Sequence, residues 1–189
     1  MNSKWGGEFH MGTIFVAGTY GVGKSTLCQR LSDQLKIPAF SAGDLISAVN
    51  NEQYGANKVV TNKTNNQIIL ALQVKRLLKD KPRILLAGHF CIFDKNANVD
   101  YLPDTVFLDL GIESILLLEA NSSQIIQNLS KRDKKEYTQQ QIIALQYAER
   151  EKARKISQKL GCKLYFHDML FGETDVQRCL YHLKKEGEL

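Results

Sequence analysis

The sequence predicts an α/β fold of three layers, a parallel sheet with helices on both faces. Three observations carry that expectation. Short apolar runs alternate with helical repeats five times along the chain, a pattern that argues for parallel strands joined by helical crossovers. The first run, Thr13-Ile14-Phe15-Val16-Ala17, leads directly into a glycine-rich turn from Gly18 to Thr26 and then into a helical repeat. Finally, Gly18, Asp44, His89 and Asp168 each fall just after a predicted strand. Open parallel sheets gather their ligands at that rim.

The remaining elements follow in order. Leu27, Leu31 and Leu35 recur at helical spacing and predict the first helix, which Pro38 ends. Ala39-Phe40-Ser41 reads as a short strand, and Gly43-Asp44 opens a short helix carrying Leu45, Ile46 and Val49. Residues 50–63 are polar and aperiodic and are expected to form an insertion. Thr64-x-x-Gln67 has the form of a capping box for a third helix, with Ile68, Ile69, Leu72 and Leu77 at helical spacing before Pro82. Ile84 to Ala87 is the next buried strand. The turn-rich stretch Asp94 to Asn98 suggests a hairpin, and a short helix is expected from Asp104 to Leu110. Ser114 to Glu119 reads as a central strand, and Asn121 opens a helix carrying Ile125, Ile126 and Leu129. That helix ends in the charged cluster Lys131-Arg132-Asp133-Lys134-Lys135-Glu136. Thr138-x-x-Gln141 caps a long helix reaching about Leu160, and Cys162 to Phe166 is the last strand. Thr174-x-x-Gln177 is expected to cap the final helix.

Composition bounds what such a chain does. With 189 residues, 43% apolar and 24% charged, it suits one ordinary globular domain, placed here at residues 12–189. Residues 1–11 are polar and glycine-bearing, and read as a flexible arm or a remnant of cloning. The net charge of +5 suits anionic ligands. It is too mild to demand nucleic acid, and no stripe of interleaved aromatic and basic residues supports such a partner. No apolar run is long enough to cross a membrane, and no secretory signal precedes the first strand. The four cysteines are scattered without Cys-x-x-Cys spacing. They are expected to be reduced core residues in a cytoplasmic protein.

The chemistry concentrates in Gly18-Thr19-Tyr20-Gly21-Val22-Gly23-Lys24-Ser25-Thr26, a glycine, four residues and then Gly-Lys-Ser. Between a strand and a helix this is the pattern of a phosphate-binding loop. Polyphosphate must be met by donors without crowding, so glycines let successive backbone amides point inward while the helix N-terminus adds its dipole. Lys24 would reach the terminal phosphates of ATP, and the Ser25 hydroxyl would ligate Mg²⁺. Thr26 adds a hydroxyl toward the α-phosphate.

In these residues the sequence resembles the adenylate-kinase-like P-loop nucleotide kinases. Within them it is most similar to bacterial ATP-binding proteins usually labelled AAA-family ATPases. The resemblance spans nearly everything from Thr13 to Leu183. It rests on the loop at 18–26, Ser-x-Gly-Asp at 41–44, Leu-x-Gly-His-Phe at 86–90 and the basic cluster at 131–135. It implies a P-loop NTPase fold with a five-stranded parallel sheet, an acceptor-side segment at about 50–63, and a lid at about 131–137. It also implies the activity: transfer of the γ-phosphate of Mg-ATP to a nucleotide, nucleoside or similar small acceptor. Lys24 would stabilise the migrating phosphoryl group and Arg132 would close over the phosphates. The base is expected beside the segment from Asp168 to Glu173.

Two departures qualify the match. The strand after the third helix usually ends in an aspartate that orients the metal's water shell, and here that position is Ala87. Asp44 is the candidate to replace it, with a helix N-cap as the competing role, and His89 is a further candidate group. Serine stands at position 47, where an arginine usually grips the acceptor's phosphate. Lys58, Lys63, Lys75 and Arg76 are the available substitutes. Arg150 and Arg154 would either face the phosphates or pair on the surface with Glu149 and Glu151. The departures leave a second function open, a nucleotide-dependent ATPase switch or assembly factor with a protein or RNA partner.

Overall fold

β1 (Gly12–Gly18) is the middle strand of a five-stranded sheet whose order places every later strand around it. In a computed structural model of the chain, residues 12–50, 63–132 and 136–184 are described. The arm at 1–11, residues 51–62 of the insertion, residues 133–135 of the lid and residues 185–189 lie outside the described residues, as do the side chains of Asn50, Lys63, Thr64 and Arg132.

α1 (Lys24–Leu35) leads to β2 (Ala39–Ser41) at one edge, and α2 (Ala42–Asn50) and α3 (Lys63–Asp80) lead back to β3 (Arg83–Ala87) beside β1. A small antiparallel hairpin of β4 (Cys91–Phe93) and β5 (Val99–Tyr101) and a short α4 (Asp104–Leu108) precede β6 (Ile112–Glu119) on the other side of β1. α5 (Ser122–Arg132) and α6 (Gln139–Leu160) then deliver β7 (Lys163–Asp168) to the far edge, and α7 (Glu173–Lys184) follows it. The order is β2-β3-β1-β6-β7, and every neighbouring pair is parallel. The chain therefore builds outward from β1 in both directions, and the glycine-rich turn sits at that switch point.

Alternation along the central strands explains the three layers. Phe15 and Ala17 of β1, Ile84 and Leu86 of β3, and Ile115 and Leu117 of β6 pack toward α3, α4 and α6. Their neighbours Ile14 and Val16, Leu85 and Ala87, and Leu116 and Leu118 pack toward α1, α5 and α7. A sheet buried on both faces reads in sequence as continuous apolar runs, as these strands do. Three cysteines are buried in these layers, and all four are free.

The caps differ in how directly they follow the sequence. Thr138 forms the expected capping box with Gln141: its Oγ1 accepts the Gln141 amide at 3.2 Å, and Gln141 Oε1 accepts the Thr138 amide at 2.9 Å. Thr174 does not cap α7, because the helix already begins at Glu173. Asp175 serves that end instead, accepting the Leu170 and Gly172 amides at 2.9 and 2.8 Å and facing His167 Nε2 at 2.9 Å. Burial alone would raise this carboxyl, yet the two amides and His167 together hold it below its usual value.

Candidate active site

The turn after β1 is shaped by backbone that only glycine adopts freely. Gly21 has φ 74°, and a Cβ there would lie 2.8 Å from Leu129 Cγ on α5. Asn128 on the same helix donates from Nδ2 to the Gly21 carbonyl at 3.0 Å, tying the turn to α5. Gly23 stands at the N-cap of α1 and offers no side chain to its first amides. Those donors suit an anion. Lys24 is buried and folds back on the turn, donating to the Gly18 and Thr19 carbonyls at 2.6 and 2.7 Å. Thr19 Oγ1 is buried without a hydrogen-bond partner among the described residues. Ser25 and Thr26 are exposed in the first turn of α1. Amides, lysine and hydroxyls together form a donor set that suits a polyphosphate anion. No cluster of three His, Cys, Asp or Glu side chains able to hold a metal alone occurs among the described residues. A metal here would therefore share its coordination with phosphate oxygens and water, as Mg²⁺ does.

A cavity of about 760 Å³ extends from this turn, within the usual range for small-ligand sites. Gly23 to Thr26 and Arg30 line it, with Met169 and Phe171 close to Gly23. Its wall also includes Ser41, Asp44, Asn66, Gln67, His89 and apolar residues including Phe107. The α4 wall is fixed from behind by Asp104, whose carboxylate meets Lys152, Lys155 and Lys159 of α6. Gly88 lets the chain leave β3 close over Phe15, since a Cβ at Gly88 would lie 2.6 Å from that ring. The next residue, His89, enters the cavity wall with its ring 4.4 Å from that of Tyr20.

Behind His89 lies a carboxylate that the sequence suggests for the surface. Glu149 of α6 is 1% exposed. Its Oε1 accepts the Phe90 and Cys91 amides at 2.9 and 3.0 Å and stands 3.6 Å from His89 Nδ1. Its Oε2 has no hydrogen-bond partner among the described residues. Burial drives the carboxyl well above its ordinary value, opposed by the charge of Lys24 and by the Cys91, Phe90 and Gly18 amides. A signal for this residue is present in the sequence. Ile142, Leu145, Glu149, Lys152 and Ile156 follow a three-four repeat, so two charged residues occupy core positions of an otherwise apolar stripe.

The other candidates divide. Asp44 lines the cavity and is exposed; Ser41 Oγ, not Asp44, accepts the amide that opens α2, at 3.4 Å from Asp44 N. Asp168 ends β7 as expected but turns away from this cavity, toward a separate hollow beside Phe166, Arg178 and His182. Met169, Phe171 and Gly172 of the following loop do line the main cavity. Arg150 is paired, its guanidinium gripping both oxygens of Glu119 at the end of β6. Arg154 pairs with exposed Glu151 at 2.8 Å, and both arginines lie over the Phe166 ring. Lys75 and Arg76 are exposed on α3 and outside the cavity wall. Arg132 ends α5, with its side chain outside the described residues.

A family model described as an AAA domain matches residues 17–146. Among solved structures, a shikimate kinase from Bacteroides thetaiotaomicron is similar with a TM-score of 0.60 at 16% identity, over 92% of this chain and 99% of that one. A shikimate kinase from Acinetobacter baumannii in complex with shikimate gives 0.63 at 14%, over 93% and 94%. A gluconokinase from Sinorhizobium meliloti 1021 gives 0.57 at 11%, over 94% of each. At these identities the likeness is one of fold, and it is the three-layer kinase fold built on a parallel sheet.

Proposed function

The chain belongs to this AAA-domain family of P-loop, kinase-like proteins, and on that premise we propose that it is a phosphotransferase. It moves the γ-phosphate of Mg-ATP to a small acceptor that presents a hydroxyl. The observation that carries the reading is the distribution of charge in the cavity. Its described cationic side chains, Lys24 and Arg30, both belong to α1, the helix that the phosphate-binding turn opens. The wall outside the turn and α1 offers Ser41, Asp44, Asn66, Gln67 and His89 beside apolar residues. Such a surface binds hydroxyls and amides well and has no described guanidinium or ammonium for an acceptor's own phosphate. Ser47, where a phosphate-gripping arginine would stand, bonds instead to the Gly43 carbonyl of its own helix at 2.8 Å.

The residues take distinct roles. The amides of Gly18 to Gly23 and the start of α1 hold the triphosphate, and the hydroxyls of Thr19 and Thr26 supplement them. Lys24 exchanges the Gly18 and Thr19 carbonyls for phosphate oxygens and neutralises charge as the phosphoryl group migrates. Ser25 would ligate Mg²⁺, which would supply charge neutralisation to the phosphates. Asp44 would help to hold the metal in place of the aspartate absent at Ala87. Arg132 closes over the phosphates. The base rests against Met169 and Phe171.

Transfer of labelled γ-phosphate from ATP to nucleosides, nucleoside monophosphates, sugar acids and polyols tests this, with Lys24→Ala as the control. Transfer to a hydroxyl compound outside the monophosphates is the expected result. ATP binding accompanied only by hydrolysis, unstimulated by any acceptor, would instead establish the switch-like ATPase.

A further inference from the structure

We propose that His89 and Glu149 form an imidazole–carboxylate pair that takes the proton from the acceptor's hydroxyl, an assignment that rests on the phosphotransferase reading above. His89 lies in the wall of the cavity, its side chain 19% exposed, while Glu149 stands behind it at 1%. The chain holds this arrangement from three sides. The Gly88 amide donates to the Val16 carbonyl at 3.0 Å and the backbone lies tight on Phe15, which fixes where His89 leaves the sheet. The Tyr20 ring packs on the imidazole, and the Phe90 and Cys91 amides anchor Glu149 Oε1 directly beneath it.

The chemistry follows from which ring nitrogen faces the carboxylate. Nδ1 is the nitrogen toward Glu149, at 3.6 Å. That is beyond a hydrogen bond, and such contacts commonly tighten when substrate arrives. A proton held on Nδ1 by the carboxylate makes Nε2 the basic nitrogen. Glu149 also brings an unused acceptor, because Oε2 is buried with no donor among the described residues. A buried unpaired carboxylate oxygen is costly unless a donor engages it in some working state. The ionisable groups bearing on Glu149 are His89 after β3, Lys24 of α1 and Cys91 of β4. The Cys91 thiol is driven far up by burial and then by Glu149, so it stays neutral and does not compete as the base.

In the step, the acceptor's O–H proton moves to His89 Nε2 while that oxygen's electron pair forms the bond to the γ-phosphorus. The bond from phosphorus to the oxygen bridging it to the β-phosphate breaks, and its pair leaves on ADP. Glu149 stabilises the imidazolium through Nδ1–H, and His89 returns the proton to water as products depart. His89 is thus the catalytic residue and Glu149 the positioning residue.

Nitrogen-15 spectra of histidine-labelled protein test the pair without needing the acceptor, with the His89 signals assigned by their loss in His89→Gln. At about pH 8, above the raised Glu149 midpoint of about 7, the expected result is an Nδ1–H tautomer in the wild type, and across the titration a lower His89 midpoint in Glu149→Gln. An Nε2–H tautomer, or a midpoint that Glu149→Gln leaves in place, overturns the proposal. In labelled-phosphate transfer, His89→Gln should lower kcat by roughly a hundredfold or more while ATP affinity by calorimetry is retained. Full kcat in His89→Gln overturns it. Failure of ATP to bind the wild type removes the phosphotransferase reading itself. Intact ATP binding with the wrong tautomer removes only this pair.

Discussion

Replacing Glu149 with glutamine should change how stability depends on pH while keeping the carboxylate's anchors. The amide oxygen of the new side chain can accept the same Phe90 and Cys91 amides that Glu149 holds at 2.9 and 3.0 Å. What disappears is a buried charge. Burial lifts the carboxyl from 4.5 to about 7 against the pull of Lys24 and the surrounding amides. At about 1.4 kcal/mol for each tenfold change in proton affinity, that rise amounts to about 3 kcal/mol. Because the folded value is the raised one, this stability is complete below the unfolded value near 4.5 and is lost as pH rises through about 7. The wild type therefore weakens across that window, and the glutamine variant lacks this contribution to the decline. Urea unfolding at half-unit steps from about pH 4 to 8 measures the difference. The two proteins should nearly coincide at the acid end, with the variant ahead by about 3 kcal/mol at the alkaline end, roughly 6–12 °C in Tm for a chain of this size. Histidine ordinarily titrates in the same range, so the pair of curves is repeated with His89→Gln in both proteins. Parallel curves in both backgrounds would refute the buried charge.

Three further substitutions bear on the turn and the lid. Lys24→Ala should reduce transfer by about 10²–10³, with the far-ultraviolet circular dichroism unchanged. Its stability should fall by only about 1–3 kcal/mol, since two bonds to the Gly18 and Thr19 carbonyls are lost; retained transfer would remove Lys24 from the site. Gly21→Ala places a Cβ 2.8 Å from Leu129 Cγ at φ 74°. It should cost about 2–4 kcal/mol from left-handed strain and overpacking together, and unchanged denaturation midpoints would contradict the turn geometry. Arg132→Ala should lower kcat by on the order of 10³ with little change in circular dichroism, and an unaltered kcat would end its role in the lid.

The fold was legible because its signals are local and repeated. Continuous apolar runs marked the strands buried on both faces, and the succession of strand, glycine turn and helix placed Gly18 to Thr26 at the switch point. The Thr138 box was equally local, since both of its bonds join residues three apart in sequence. Thr174 satisfied the same spacing and failed. Asp175, one residue on, reaches two amides of the preceding loop as well as His167, so it outcompetes a single hydroxyl. Asp168 shows a second limit. Its position at the end of β7 was correct, but the pleat and the edge of the sheet turned its side chain toward Phe166 and His182 instead of the cavity.

Glu149 was hidden by its neighbours. Acidic residues flanking Arg150 on a charged helix look like a solvated face, and for Glu151 that is correct. Helical phase separates the two. Glu149 falls four residues after Leu145 and seven before Ile156, on the stripe that meets β1, β4 and β6, while Glu151 falls outside it. Ala87 then acquires a physical meaning. A strand that ends in alanine carries no charge of its own toward the cavity, and Gly88 after it brings the backbone hard against Phe15. The first polar side chain this strand can deliver is therefore His89, and a neutral imidazole at that point needs a partner behind it to fix which nitrogen is basic. The partner cannot come from the chain just after β3, whose next amides at Phe90 and Cys91 are themselves donors in want of an acceptor. A carboxylate from the facing helix meets both requirements at once, taking the two amides on Oε1 and standing beside Nδ1. On this view the apolar end of β3 at Ala87 leaves His89 as the strand's first polar group, and Glu149 of α6 is the carboxylate that holds it.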